Sequence, residues 1–197
     1  MEPSLDQIRE HYRSYSDDDL TLLATTEARR LRPDVVEALE EELRSRGLPE
    51  TISHAIDAQI VELSEEEIQA YCERLQSQPC PVCGAVEYDL NATVTKSVVS
   101  LLIITLRKRR MLIACPDCLD QATKEATIKS ALLGWWGFPW GIIRTIQAIS
   151  SNNARLKQHR IEAPNDLLRA FVVSNVGKIE MNWDNEEELQ VLIANLD

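Results

Sequence analysis

The sequence is short of the usual carriers of catalysis and of membrane insertion. Its 197 residues include three histidines, two phenylalanines and six glycines. The glycines form no phosphate-cradling loop, and no serine or cysteine stands in a nucleophile signature. No uncharged run reaches the roughly 20 residues of a spanning helix. Ser130–Ile143 has 14 residues without a charge and Val98–Leu106 has nine. The first 30 residues lack the basic leader and apolar core of a secretory signal, and Asp17, Asp18 and Asp19 interrupt them. There is no internal repeat and no low-complexity linker. With 44% apolar and 27% charged residues, the composition excludes a fibrous or wholly disordered chain. The length suits one domain or two small ones.

Charge is present in quantity and unevenly placed. The formal net charge is −11. Residues 1–78 hold 8 basic and 19 acidic side chains, residues 79–163 hold 11 and 6, and residues 164–197 hold 2 and 7. An acidic chain with a basic middle argues against a general nucleic-acid coat. It leaves an anionic partner, or docking of the chain's own acidic arms, as roles for the middle.

The acidic first 78 residues read as helices. Ser16 before Asp17, Asp18 and Asp19 is an N-cap with an acidic first turn, and Leu20, Leu23 and Leu31 supply an inner side. Pro33 opens a second helix through Val35, Val36, Leu39 and Leu43, which Gly47 closes. On its outer face Glu40–Arg44 and Glu42–Arg46 are worth a few tenths of a kcal/mol each. Ile52, Ile56, Ile60 and Leu63 continue the pattern, and Ser64 with Glu67 forms a capping box before Ile68, Tyr71, Cys72 and Leu75. Cys72 lies on that apolar stripe and reads as a small buried residue, not as a ligand.

From residue 79 the chemistry changes. Cys80-Pro-Val-Cys83-Gly84 and Cys115-Pro-Asp-Cys118 are two Cys-x2-Cys pairs, 31 residues apart. Two residues between cysteines let one turn present both sulfurs to one ion, and four thiolates suit zinc in a closed tetrahedron. In a reducing compartment such pairs bind metal or act as redox dithiols rather than forming structural disulfides. One structural zinc per chain is expected at Cys80, Cys83, Cys115 and Cys118, with iron in the same cage as the other metal. Residues 86–114, rich in Val, Thr, Ile, Leu and Tyr, read as two or three antiparallel strands. Lys96-Ser97 is a break in this reading, and Arg107-Lys108-Arg109-Arg110 is a charged reversal.

This block resembles a zinc ribbon over residues 79–119, and the resemblance implies those four cysteines as ligands. Further on, the second cysteine pair, a helix and Gly134-Trp-Trp-Gly-Phe-Pro-Trp-Gly141 look like a bacterial family that joins a ribbon to an aromatic, membrane-like segment. That likeness implies no activity.

Helical spacing resumes through Ala122, Ala126, Leu132 and Leu133, and again through Ile142, Ile143, Ile146 and Ile149 to about Arg160. Two helices with an aromatic turn make a hairpin. Trp135, Trp136, Phe138 and Trp140 are its candidate partner-binding residues, with burial as core, protein docking and membrane-surface insertion as the three readings. Lys124, Lys129 and Arg144 would meet anionic lipid in the last of these. Arg107, Lys108, Arg109 and Arg110 are the residues a nucleic-acid reading uses, although no aromatic interleaves with them. His11, His54 and His159 read as surface or packing residues. After Pro164 and a capping Asn165, the sequence reads as a helix through Val172, a strand over Ile179, Met181 and Trp183, and a helix through Leu196.

The expected protein is α+β and mostly helical, with a central antiparallel ribbon. The expected segments are an acidic helical region (1–78), a zinc ribbon (79–119), a helical hairpin (120–163) and a helix–strand–helix element (164–197). The expected function is that of a non-enzymatic, zinc-binding adaptor of the bacterial cytoplasm. Its partner is a protein or, peripherally, a membrane surface, with nucleic-acid binding through 107–110 as the alternative.

Overall fold

The computed structural model describes residues 3–101, 104–133, 140–157 and 159–196. Among these the chain is α+β and mostly helical, with nine α-helices and one two-stranded antiparallel sheet. It divides into two compact units, Met1–Tyr71 with Phe171–Glu186, and Cys72–Ala170 with Glu187–Asp197.

The first unit is built of amphipathic helices with well-formed ends. Helix α1 (Leu5–Ser14) is capped by Ser4, and α2 (Asp17–Thr26) by Ser16, each with a reciprocal capping box. A 3-10 turn leads into α3 (Pro33–Ser45), which has proline in its first turn. Gly47 takes φ of 67°, while the Leu48 N–H bonds the Leu43 carbonyl at 3.1 Å. This is the left-handed cap that only glycine adopts freely. Helix α4 (Glu50–Ile60) follows, and then α5 (Glu65–Gln76), where Ser64 and Glu67 form the expected box. Leu20, Leu39, Leu43, Ile52 and Ile56 are buried in one apolar cluster, with Leu23 and Leu31 packed against it.

The second unit is organised on the ribbon. Strands β1 (Asn91–Leu101) and β2 (Ile104–Ala114) pair in register from Asn91 opposite Ala114 to Leu101 opposite Ile104. The chain therefore reverses between Leu101 and Ile104, and Arg107–Arg110 run along β2 instead of forming the reversal. Lys96-Ser97 is no break either. The Lys96 N–H and carbonyl are both held by the Asn152 side chain, at 3.2 and 3.0 Å, which keeps the strand straight through this point.

Helices α6 (Pro116–Leu133) and α7 (Trp140–Leu156) pack on each other and on β1. Their inner faces are not the leucines and isoleucines of the sequence pattern. Thr123, Ser130, Thr145, Ala148 and Asn152 are buried, while Ile128, Leu132, Leu133, Ile143 and Ile146 are exposed. Small and short polar residues let the helices approach the ribbon and serve its edge: besides Asn152, Ser130 accepts from the Val98 N–H at 3.0 Å. Asn165 donates to the Ala92 carbonyl at 2.7 Å. The outer edge of β1 is thereby capped by side chains, one of the ways a free sheet edge is protected.

Helix α8 (Asp166–Met181) contradicts the expected strand over 179–183. Leu168, Val172, Val176 and Ile179 are buried at helical spacing, and that longer period overrides the short alternation of Ile179, Met181 and Trp183. A non-helical Asn175 (φ −124°) kinks the helix. The final helix, α9 (Glu186–Ala194), buries Leu189 and Ile193 as its pattern predicts.

Candidate metal centre

Each cysteine pair is set by a local device. In the first, the Cys80 N–H bonds the Ala85 carbonyl and the Gly84 N–H bonds the Cys80 carbonyl, both at 2.8 Å. Gly84 takes φ of 74° to close the loop. The second pair straddles a strand–helix junction, since Cys115 follows β2 directly and Cys118 lies in the first turn of α6. The pairing of Asn91 with Ala114 brings this junction back beside the first loop.

The four sulfurs lie within 4.8 Å of one another, and those of Cys83 and Cys115 are 3.7 Å apart. Sulfurs at the corners of a tetrahedron of about 2.3 Å bonds lie about 3.8 Å apart. Cys80, Cys83, Cys115 and Cys118 can therefore hold one metal ion. The surrounding backbone is suited to thiolates as well. The Cys115 N–H donates to the Cys80 sulfur at 3.4 Å. Burial pushes the Cys80 thiol up, but N–H groups of Cys115, Cys83 and Val82 aimed at its sulfur outweigh that and bring it down to about 7. Burial and the neighbouring thiols push Cys118 up, and burial raises Cys115. Four thiols in such proximity cannot all ionise unless a cation joins them. Cys72 stands apart, wholly buried, its thiol pushed up to about 11 by burial.

No family model, curated protein or solved structure matches this chain.

Of the other singled-out residues, Trp135, Trp136 and Phe138 lie outside the described residues, and Trp140 opens α7. Arg107, Lys108, Arg109 and Arg110 are exposed on β2. Among the described residues no carboxylate pairs with any of the four. His11 and His54 are exposed.

His159 is a packing residue, one of the two roles the sequence allows, and its partners are what the sequence does not show. It is 1% exposed. Its Nδ1 lies 2.9 Å from the Asp120 carboxylate and its Nε2 3.1 Å from the Thr93 hydroxyl. Acid, imidazole and hydroxyl stand in the order of a hydrolytic triad, but the hydroxyl belongs to a residue 1% exposed, beyond reach of a substrate. The line instead ties α6, β1 and the segment after α7 together close to the cysteines. Partners 39 and 66 residues away leave no local signal of it in the sequence.

Proposed function

We propose that the chain is a non-enzymatic module, stabilised by one zinc ion, that binds the surface of anionic membranes through the far end of its ribbon and helical hairpin. Zinc is favoured by four thiolates at tetrahedral spacing, a set that leaves no ligand position open for water or substrate. The site's work is then to hold the ribbon's base to α6.

The membrane reading is carried by the inverted faces of α6 and α7. Leu132 is 68% exposed and Ile146 54%, whereas Thr145 is fully buried. Small and hydroxylated side chains inside with aliphatic ones outside is the arrangement of helices that meet lipid. The Val98–Ser130 hydrogen bond sets the end of the ribbon beside the C-terminal end of α6. Exposed Leu106, Ile128, Leu132, Leu133, Ile143 and Ile146 thus gather at one end of this unit, opposite the cysteines. The strands span about 34 Å between the two ends, at about 3.4 Å per residue. Arg107–Arg110 and the exposed Lys124 and Lys129 supply the positive charge that anionic headgroups attract. Trp135, Trp136, Phe138 and Trp140 fall between the sequences of α6 and α7 or at the start of α7 and are the proposed interfacial anchors. Among the described residues no helix is long and apolar enough to cross a membrane, so the proposed contact is peripheral.

The test is flotation of the zinc-loaded protein with vesicles of phosphatidylcholine alone or mixed with phosphatidylglycerol. Binding to the mixed vesicles only, weakened by salt and abolished by Leu132→Glu with Ile146→Glu, is expected. Absence of binding to the mixed vesicles overturns the reading. Association with DNA or RNA that survives both glutamate substitutions replaces it with the nucleic-acid alternative.

A further inference from the structure

We propose that the pocket between the ribbon and α7 is a binding site for a phosphomonoester dianion. It rests on the membrane reading for its source, a phosphomonoester lipid headgroup. The pocket is lined by Lys96, Arg107, Lys108 and Arg109 of the ribbon and by Arg144 of α7, together with uncharged neighbours that include Gln147. Five cations and no carboxylate line about 90 Å³. That is far below the roughly 300–1,000 Å³ of sites for drug-sized molecules, and it suits one oxyanion instead of a nucleotide or an acyl chain.

The ribbon concentrates this charge at a cost to itself. Lys96 stands directly opposite Arg109, and Val98 opposite Arg107. Alternate residues share a face, so Lys96, Arg107 and Arg109 lie on the same one. Like charges directly opposite across a ladder destabilise it. The chain carries 32 carboxylates, yet among the described residues none pairs with Lys96, Arg107, Lys108 or Arg109. An anion shared by the two strands and α7 turns that repulsion into attraction.

Lys96 is also held in place. Asn152 clamps its backbone on both sides, and the Ser151 hydroxyl lies 3.0 Å from its ammonium nitrogen. A rigid ammonium beside arginine forks suits a compact, doubly charged group with three terminal oxygens, and suits the singly charged diester of ordinary headgroups less well. The pocket lies along the ribbon toward the end that carries the exposed aliphatic residues, within reach of a headgroup once those residues are seated in lipid.

The experiment compares the full zinc-loaded chain on vesicles of phosphatidylcholine with phosphatidic acid and with phosphatidylglycerol, matched in surface potential. Arginine side-chain resonances are followed in parallel as inorganic phosphate is added. About tenfold tighter binding to phosphatidic acid is expected, the scale of one lost charged hydrogen bond. Lys96→Gln and Arg109→Gln should each erase that preference. Arg110→Gln, an equal loss of charge on a residue that does not line the pocket, should retain it. Equal binding to the two matched lipids, or erasure by all three variants alike, overturns the site while the membrane reading stands. If no vesicle binds but phosphate shifts the Arg107, Arg109 and Arg144 resonances in a Lys96-dependent way, the membrane reading fails and the site holds with free phosphate as its source.

Discussion

Arg46 uses all five of its N–H donors. They go to the carbonyls of Tyr12, Arg13 and Tyr15 and to the carboxylates of Asp17 and Glu42, at 2.7 to 3.2 Å. Three of these acceptors are backbone carbonyls at the end of α1, where a helix runs out of its own N–H donors, although that of Tyr12 also accepts the Tyr15 N–H at 3.1 Å. The i,i+4 spacing with Glu42 points to a pair worth a few tenths of a kcal/mol, but the carbonyls 31 to 34 residues away make the side chain a helix cap from outside. Arg46→Met is expected to cost about 2 kcal/mol in denaturant unfolding, from stranded carbonyls and lost charged hydrogen bonds. Arg46→Lys should recover less than half of it, because an ammonium offers three donors from one point. Gly177 poses the opposite problem. Alanine is normally the better helix former by about 1 kcal/mol. Here, however, an added Cβ would lie 2.6 Å from the Thr25 carbonyl oxygen and would strike the Gln59 amide. That amide is itself held by the Ala24 and Ala55 carbonyls at 2.6 and 2.8 Å, so neither neighbour can yield. Overpacking of this kind costs roughly 1–3 kcal/mol, and Gly177→Ala should lower the unfolding midpoint despite the gain in propensity. A midpoint that rises would mean that α8 shifts freely there.

At the scale of elements, the ribbon is a pair of strands whose outer edge, on β1, is completed by helices. Asn152 replaces a third strand for one residue: it accepts the Lys96 N–H, donates to the Lys96 carbonyl, and reaches the Thr127 hydroxyl at 3.2 Å. Asn152→Leu keeps the volume and removes both edge bonds. Two part-buried backbone groups left unpaired cost up to about 1–3 kcal/mol each. The variant should lose about 2 kcal/mol or more and show faster hydrogen exchange at Lys96 and Val98, with exchange in α1–α4 unchanged. Which elements were legible from sequence follows from where their determinants lie. Ser16, Pro33, Gly47 and Ser64 act within their own turn, and each marked a helix end correctly. The reversal at Arg107–Arg110 was misplaced because charge at a solvent-facing edge looks the same, along the chain, as charge in a turn. The strand over Ile179–Trp183 failed because five residues are little more than one helical turn, too few to tell a helical period from a period-two run. The inverted faces of α6 and α7 could not be read at all. Periodicity assigns the apolar stripe to the inside, and the ribbon's unmet hydrogen bonds explain why Ser130 and Asn152 took places there.

For the whole molecule, the two units draw on different sources of stability. Unit 1 is held by an apolar cluster from α1–α4 and contains none of the four clustered cysteines. Unit 2 has a ribbon against helix faces of small and polar residues, which bury little hydrocarbon, and it has the cysteine cluster at the ribbon's base. The cluster was legible because a metal's demands are met by spacing alone, whereas His159, Asp120 and Thr93 come together only through the fold. Thiolate zinc sites contribute on the order of 10–16 kcal/mol of apparent binding free energy at neutral pH. That matches or exceeds the roughly 5–15 kcal/mol stability of a typical domain, so unit 2 should depend on the proposed zinc and unit 1 should not. The ligands bind as thiolates, so affinity falls as pH falls and protons compete for the sulfurs. Chelation at neutral pH, mild acidification and Cys80→Ser should therefore all act on the same region. Hydrogen exchange followed by mass spectrometry should lose protection first over residues 79–119, and then in α6, where Cys118 anchors the first turn. Protection in α1–α4 should persist under the same treatment, and readdition of zinc to the chelated wild type should restore the ribbon. Uniform loss of protection across the chain would mean that the units share one cooperative fold, and retention of the ribbon without metal would remove the structural role assigned to the site.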